Sequence, residues 1–206
     1  MTVEEFTGLS KIEKFSDLLK LNDFVYSAIP WKKVPDEEWL KESYEDRLKK
    51  IESILQDSRD KKIGGWCGAS GVLMSLLLAY YKIKRVGLNY GLSEDNYSHV
   101  VVIANLDGME FLLDPYFNRH YTYYGEFPLQ FPDLIRLIEE KKFAAIKSVY
   151  GSSSKEVEQN NGYIQFSPQS LEESVIKSWY NRGFKKELIN TYGVDNSLML
   201  LLNKID

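Results

Sequence analysis

The chain has 206 residues and a formal net charge of -4, long enough to bury a core as one domain. Its composition, 44% hydrophobic and 27% charged, excludes a chain too polar to collapse, and its Lys and Arg are scattered rather than gathered into the stripe that a nucleic acid would need. With one Cys and two His it can close no intrachain disulfide and build no Cys2His2 zinc site.

Acidic residues stand near the start, in MTVEEFTGLSKIEKFSD, where a secretory leader would be basic and then apolar. With the lone cysteine, this makes the cytoplasm the expected compartment. From Ser10 to Ala28, Ile12, Phe15, Leu18, Leu19 and Val25 recur at helical spacing, and Pro30 closes the segment. Pro35 to Glu38 resembles a helix start. A second amphipathic helix is expected from there to about Gln56, with Trp39, Leu40, Tyr44, Leu48, Ile51 and Leu55 on one face. Gly64 and Gly65 break the pattern, and a third helix is predicted from Cys67 to about Tyr81. It is apolar on most sides and so belongs at the centre of the domain. Its Val72–Tyr81 stretch is about half of the roughly 20 residues a membrane span needs, so no span is expected.

The period then changes to two. Val86, Leu88 and Tyr90 alternate, SHVVVIA is β-branched, and MEFLLD follows an Asn105-Leu-Asp-Gly108 turn, which together predict an antiparallel hairpin. Leu134 to Ala145 reads as helix, GSSSKEVEQNNG as loop, Tyr163 to Phe166 as a short strand, and Ser167-Pro168 as the start of a helix reaching about Tyr180. The expected fold is a single α+β domain over 1–206, its core about 60–118 and helical flanks at both ends.

Chemistry concentrates at three residues. A cysteine reacts as its thiolate, which a helix N-terminus and a neighbouring imidazolium both favour over the free thiol of pKa about 8.5. Cys67 stands at such a start, after two glycines that let the chain turn sharply and before Gly68, which leaves the first turn open. His99 is placed on a strand. If Leu106 and Asp107 are the central turn residues, His99 falls opposite Asp114; if Asp107 and Gly108 are, the two are diagonal neighbours on one face; a three-residue loop would separate them. A carboxylate beside a histidine fixes its tautomer and stabilises its cation. The backbone N–H of Cys67 or Gly68 can receive an oxyanion, with Trp31, Gln56 or Trp66 as candidates for a second donor. His120 reads as a packing or surface residue. The aromatic segment from Tyr116 onward, PYFNRHYTYYGEF after Asp114, is a candidate lining for the acyl or acceptor site. No calcium loop or phosphate-cradling motif is present, so no metal or cofactor is assigned.

The order Gly-Gly-Trp-Cys-Gly on an apolar helix, Ser-His-Val-Val-Val on a strand and Phe-Leu-Leu-Asp-Pro after one hairpin turn resembles the core of the transglutaminase-like superfamily. That resemblance implies a papain/transglutaminase-like fold, with a cysteine-bearing central helix packed on an antiparallel sheet and Cys67, His99 and Asp114 as a triad. Acyl transfer or amide hydrolysis through an acyl-enzyme, acting on an amide- or thioester-bearing peptide, protein or small molecule, is the activity it implies. Ile63-Gly-Gly-Trp-Cys is also similar to the Arg-Gly-Gly-x-Cys motif of arylamine N-acetyltransferases, but Ile63 replaces the arginine, and Pro-Tyr-Phe follows Asp114 where that family has Val-Gly-Phe-Gly. That likeness implies an acyl-coenzyme A donor, and a third reading keeps the fold as a non-catalytic binding module.

Overall fold

The structure is a computed structural model that describes residues 1–30, 38–92, 98–151 and 184–192. In it five helices precede the sheet. Helix α1 (Val3–Thr7) is closed by a Thr2–Glu5 capping box and ends on Gly8 in the left-handed region. Helix α2 (Phe15–Ala28) begins five residues after the expected Ser10, because the Asp17 carboxylate accepts from the backbone N–H groups of Glu13 and Lys14 and fixes the first turn there.

The single helix expected to run from Pro35 to about Gln56 is several pieces. Residues 35–37 lie outside the described residues, and Glu38–Leu40 form one 3-10 turn. Ser43 then caps α3 (Tyr44–Lys49) by accepting from the Asp46 N–H, and the chain breaks at Lys50 before α4 (Ile51–Arg59). A continuous apolar face survives such a break when each short helix meets the core on its own.

Helix α5 (Cys67–Tyr80) runs as the sequence predicts, and every residue from Ala69 to Leu78 is buried. Strands β1 (Lys84–Leu92), β2 (Ser98–Leu106) and β3 (Met109–Asp114) follow antiparallel, then β4 (Arg119–Tyr123), β5 (Phe127–Pro128), α6 (Phe131–Glu139), β6 (Ile146–Tyr150) and β7 (Phe184–Tyr192). Among the described residues seven strands thus join one sheet in the order β5-β4-β3-β2-β1-β7, with β6 also paired to β4. The sheet is far larger than the hairpin read from sequence. The helix expected over Leu134–Ala145 starts earlier, at Phe131 with Pro132 in its first turn, and stops at Glu139; Lys141 turns into the left-handed region before a 3-10 turn at Phe143–Ala145. The expected loop, short strand and helix between Gly151 and Tyr180 lie, beyond Gly151 itself, outside the described residues.

Both sheet faces are covered, which explains why β2 reads as a continuous apolar run. Val102, Ala104, Leu106, Phe111 and Leu113 join the core made with α1, α2, α4 and α5, whereas Val101, Ile103, Leu112 and Tyr121 pack with α6. Helix α5 contacts β1 and β2. Its approach to β2 is close: a Cβ on Gly71 would overlap Val100 Cγ1. Among the described residues no helix is long and apolar enough to cross a membrane.

Candidate active site

The β2–β3 turn decides the first question of geometry. Asp107 and Gly108 both take positive φ, 51° and 85°, so they form the two-residue loop, and Val102 pairs Leu113. His99 and Asp114 are therefore diagonal neighbours on one face, the second of the registers considered above. The ladder ends at Val102 and Leu113, just before Pro115, which has no N–H to offer a sheet. Beyond that point the Val100 N–H donates to the Cys67 sulfur instead.

There the three residues meet. His99 Nε2 donates to Asp114 Oδ2 at 2.9 Å, and the ring is hydrogen-bonded to the Cys67 thiol. With Nε2 committed to the carboxylate, Nδ1 is the nitrogen left for sulfur. The carboxylate is fully buried while the His99 side chain is 16% exposed, so the imidazole stands between a sealed anion and a half-buried cysteine.

Electrostatics favour the charged forms. Burial pushes the Cys67 thiol up, but the hydrogen bond and charge of His99, with the Val100 N–H, outweigh it and hold the thiol below its ordinary value. Burial likewise opposes a charged His99, yet the Asp114 carboxylate and the thiolate raise it to about 9. For Asp114 the cost of burial is overcome by the His99 and Arg119 charges and their hydrogen bonds, which lower it to about 2. The Cys67 and His99 shifts both run in the direction that favours a thiolate–imidazolium pair.

Arg119 is a site residue that the sequence reading missed. Its Nη2 donates to the same Asp114 Oδ2 at 2.6 Å, and both side chains are essentially inaccessible. The Phe117 N–H donates to Oδ1 at 3.2 Å. A signal existed: Asp114 and Arg119 are cross-strand partners around the Pro115–Asn118 turn, and Asn118 closes it at φ 50°. Asp-Pro at one end and Asn-Arg at the other form a turn with opposite charges facing across it. Asn118 is in turn tied to α2, accepting from Asn22 at 3.0 Å and donating to Asp23 at 2.6 Å.

The aromatic segment divides. Tyr116 and Phe117 lie beside His99, with ring centroids 6.0 and 5.2 Å away, whereas Tyr123 and Tyr124 stand exposed at the β4–β5 end. Burial, then the charges of Cys67 and Asp114 and the neighbouring Tyr26, push Tyr116 up to about 12, so it stays a neutral hydroxyl. His120 packs edge-on to Phe15 at 5.5 Å, and burial lowers it to about 4.

The oxyanion candidates fall unequally. The N–H groups of Cys67 and Gly68 open α5, where the first turn has no intrahelical acceptor for them, and the space beyond the Gly68 Cα is open. Trp66 is the N-cap of α5, next to Cys67 in the chain, and is 51% exposed. Gln56 donates to Asp60 and accepts from Arg59, which commits its amide to α4, and Trp31 lies outside the described residues. Among the described residues no group of three His, Cys, Asp or Glu could hold a metal. No protein-family model, curated protein or solved structure matches this chain.

Proposed function

We propose that the protein is a cysteine-nucleophile enzyme of transglutaminase-like fold that transfers an acyl group or hydrolyses an amide. The observation that carries this reading is the hydrogen-bonded chain from the Cys67 sulfur through His99 to the buried Asp114. An imidazole raised to about 9 holds a proton at neutral pH, ready for a leaving group.

The Cys67 thiolate attacks the carbonyl carbon of an amide or thioester, forming a carbon–sulfur bond, while the developing oxyanion meets the Cys67 and Gly68 N–H groups. His99 gives its proton to the departing amine or thiol as the old bond breaks. Water or an acceptor amine then attacks the acyl-enzyme and passes a proton to neutral His99, and the carbon–sulfur bond breaks to restore the thiolate. Asp114 keeps Nε2 protonated throughout, so that Nδ1 does the work.

The test is acyl-enzyme capture. Incubation with a panel of activated acyl donors, acetyl-coenzyme A among them, should add the acyl mass to Cys67, and hydroxylamine should remove it; Cys67→Ser should stay unmodified and His99→Ala should react far more slowly. An unmodified wild-type protein with every donor would leave a non-catalytic binding module.

A further inference from the structure

We propose that Arg119 is a positioning residue for the triad, clamping Asp114 by the oxygen that His99 uses and supplying the positive charge that makes the buried group electrically neutral. The inference rests on reading Cys67 and His99 as an ion pair. With Asp114 ionised, a thiolate, an imidazolium and a carboxylate carry one net negative charge in a site where the carboxylate has no access to water. Such a group is costly to bury unless it is matched. Arg119 is the match, at 2.6 Å and 1% exposed.

Its own setting supports the role. Arg119 is held between aromatic rings, with its guanidinium carbon 5.4 Å from the Phe117 centroid and 5.5 Å from that of Tyr121. It sits on β4 directly across from Asp114 on β3 and from Tyr150 on β6. A guanidinium fixed on three sides cannot swing away when His99 changes charge, so the carboxylate oxygen keeps its place between two cations. Two donors on one oxygen also divide its pull: Arg119 moderates Asp114, which would otherwise bind the imidazolium more tightly and oppose the thiolate more strongly.

Among the described residues, the ionisable groups around the pair are Cys67 from α5, Asp114 from β3, Tyr116 and through it Tyr26 of α2, Tyr121 and Arg119 from β4, and Tyr150 from β6. Arg119 is the one permanent cation in that set. Removing it should move the first ionisation step of the thiol and the later loss of the imidazolium proton in the same direction, toward higher pH. Arg119 stands 2.6 Å from the carboxylate oxygen that His99 also uses, and a fixed charge acting through that oxygen is worth about one pH unit.

The experiment follows Cys67 alkylation by iodoacetamide across pH in wild type, Arg119→Met and Arg119→Lys, with folding checked by circular dichroism. Both steps should rise by about one pH unit in the Met variant, so that alkylation on the acid side slows about tenfold, and Lys should return them most of the way. A purely structural arginine would lower rates at every pH and leave the steps in place, and that result overturns the inference. A wild-type profile insensitive to His99→Ala would instead overturn the ion pair itself. Should the Met variant be too unstable to assay, Arg119→Gln, which keeps a donor but no charge, is read in the same way.

Discussion

Gly68 and Gly71 lie one turn apart in α5, and adding the same methyl group to each should have opposite results. At Gly68 a Cβ meets nothing within 4 Å, whereas at Gly71 it overlaps Val100 Cγ1 and stands 3.4 Å from Val100 Cβ. Ala is worth up to about 1 kcal/mol over Gly inside a helix, less in the first turn. Gly68→Ala should thus be neutral or slightly stabilising. Gly71→Ala receives that gain but must push Val100, a β-branched side chain with few rotamers on a paired strand; overpacking of this kind costs about 1–3 kcal/mol. Set against the larger helical gain at position 71, that leaves Gly71→Ala the weaker by up to about 2 kcal/mol in urea unfolding. Because Val100 adjoins His99 and its N–H donates to the Cys67 sulfur, Gly71→Ala should also slow alkylation of Cys67 in protein that is still folded. Equal stability for the two would refute the close helix–strand contact on which the site is built.

Lowering pH should destabilise the protein in two stages. His120, held down to about 4 by burial, contributes stability that is present above its ordinary 6.5 and lost as pH falls from there toward 4; His120→Asn should flatten that part of a stability–pH curve. Asp114, lowered from 3.8 to about 2, contributes about 2 kcal/mol that is present above roughly pH 4 and lost as pH falls through 2, and Asp114→Asn should remove that later loss. Asp114→Ala should be worse than Asp114→Asn, by thermal melting, because Asn keeps an oxygen that can accept from the buried Arg119 guanidinium, whereas Ala removes it. Leu77→Ala, at a fully buried position of α5, should cost about 2–5 kcal/mol in the same assay.

The part of the molecule legible from sequence was the part written in short-range chemistry. Helix α5 announced itself by uninterrupted apolarity after Gly64-Gly65, and β2 and β3 by β-branched runs around an Asp-Gly turn, so Cys67, His99 and Asp114 could be brought together on paper. The Ser10 start gave way to Phe15 because a single side chain, Asp17, captures two backbone donors. The helix expected from Pro35 broke at Ser43 and Lys50, where caps and backbone angles compete with an apolar period that is the same on either side. Strands β4 to β6 were not read because β5 is only two residues long and the longest pairing of β4 is with β6, beyond α6; from sequence, Arg119 to Tyr123 is only part of an aromatic segment. Arg119 was missed for the opposite reason: its partner is local, and Asp114 faces it once the Pro115–Asn118 turn is folded.

The central claim concerns the protonation of one sulfur. Because Cys67 is the chain's single cysteine, its thiolate absorbance in the ultraviolet, taken as wild type minus Cys67→Ser, titrates that group alone. Wild type should ionise below the free-thiol value of about 8.5, and His99→Ala should shift ionisation above it, because burial and the Asp114 charge are then opposed chiefly by the Val100 N–H. Ionisation at the same pH in both proteins would contradict the account.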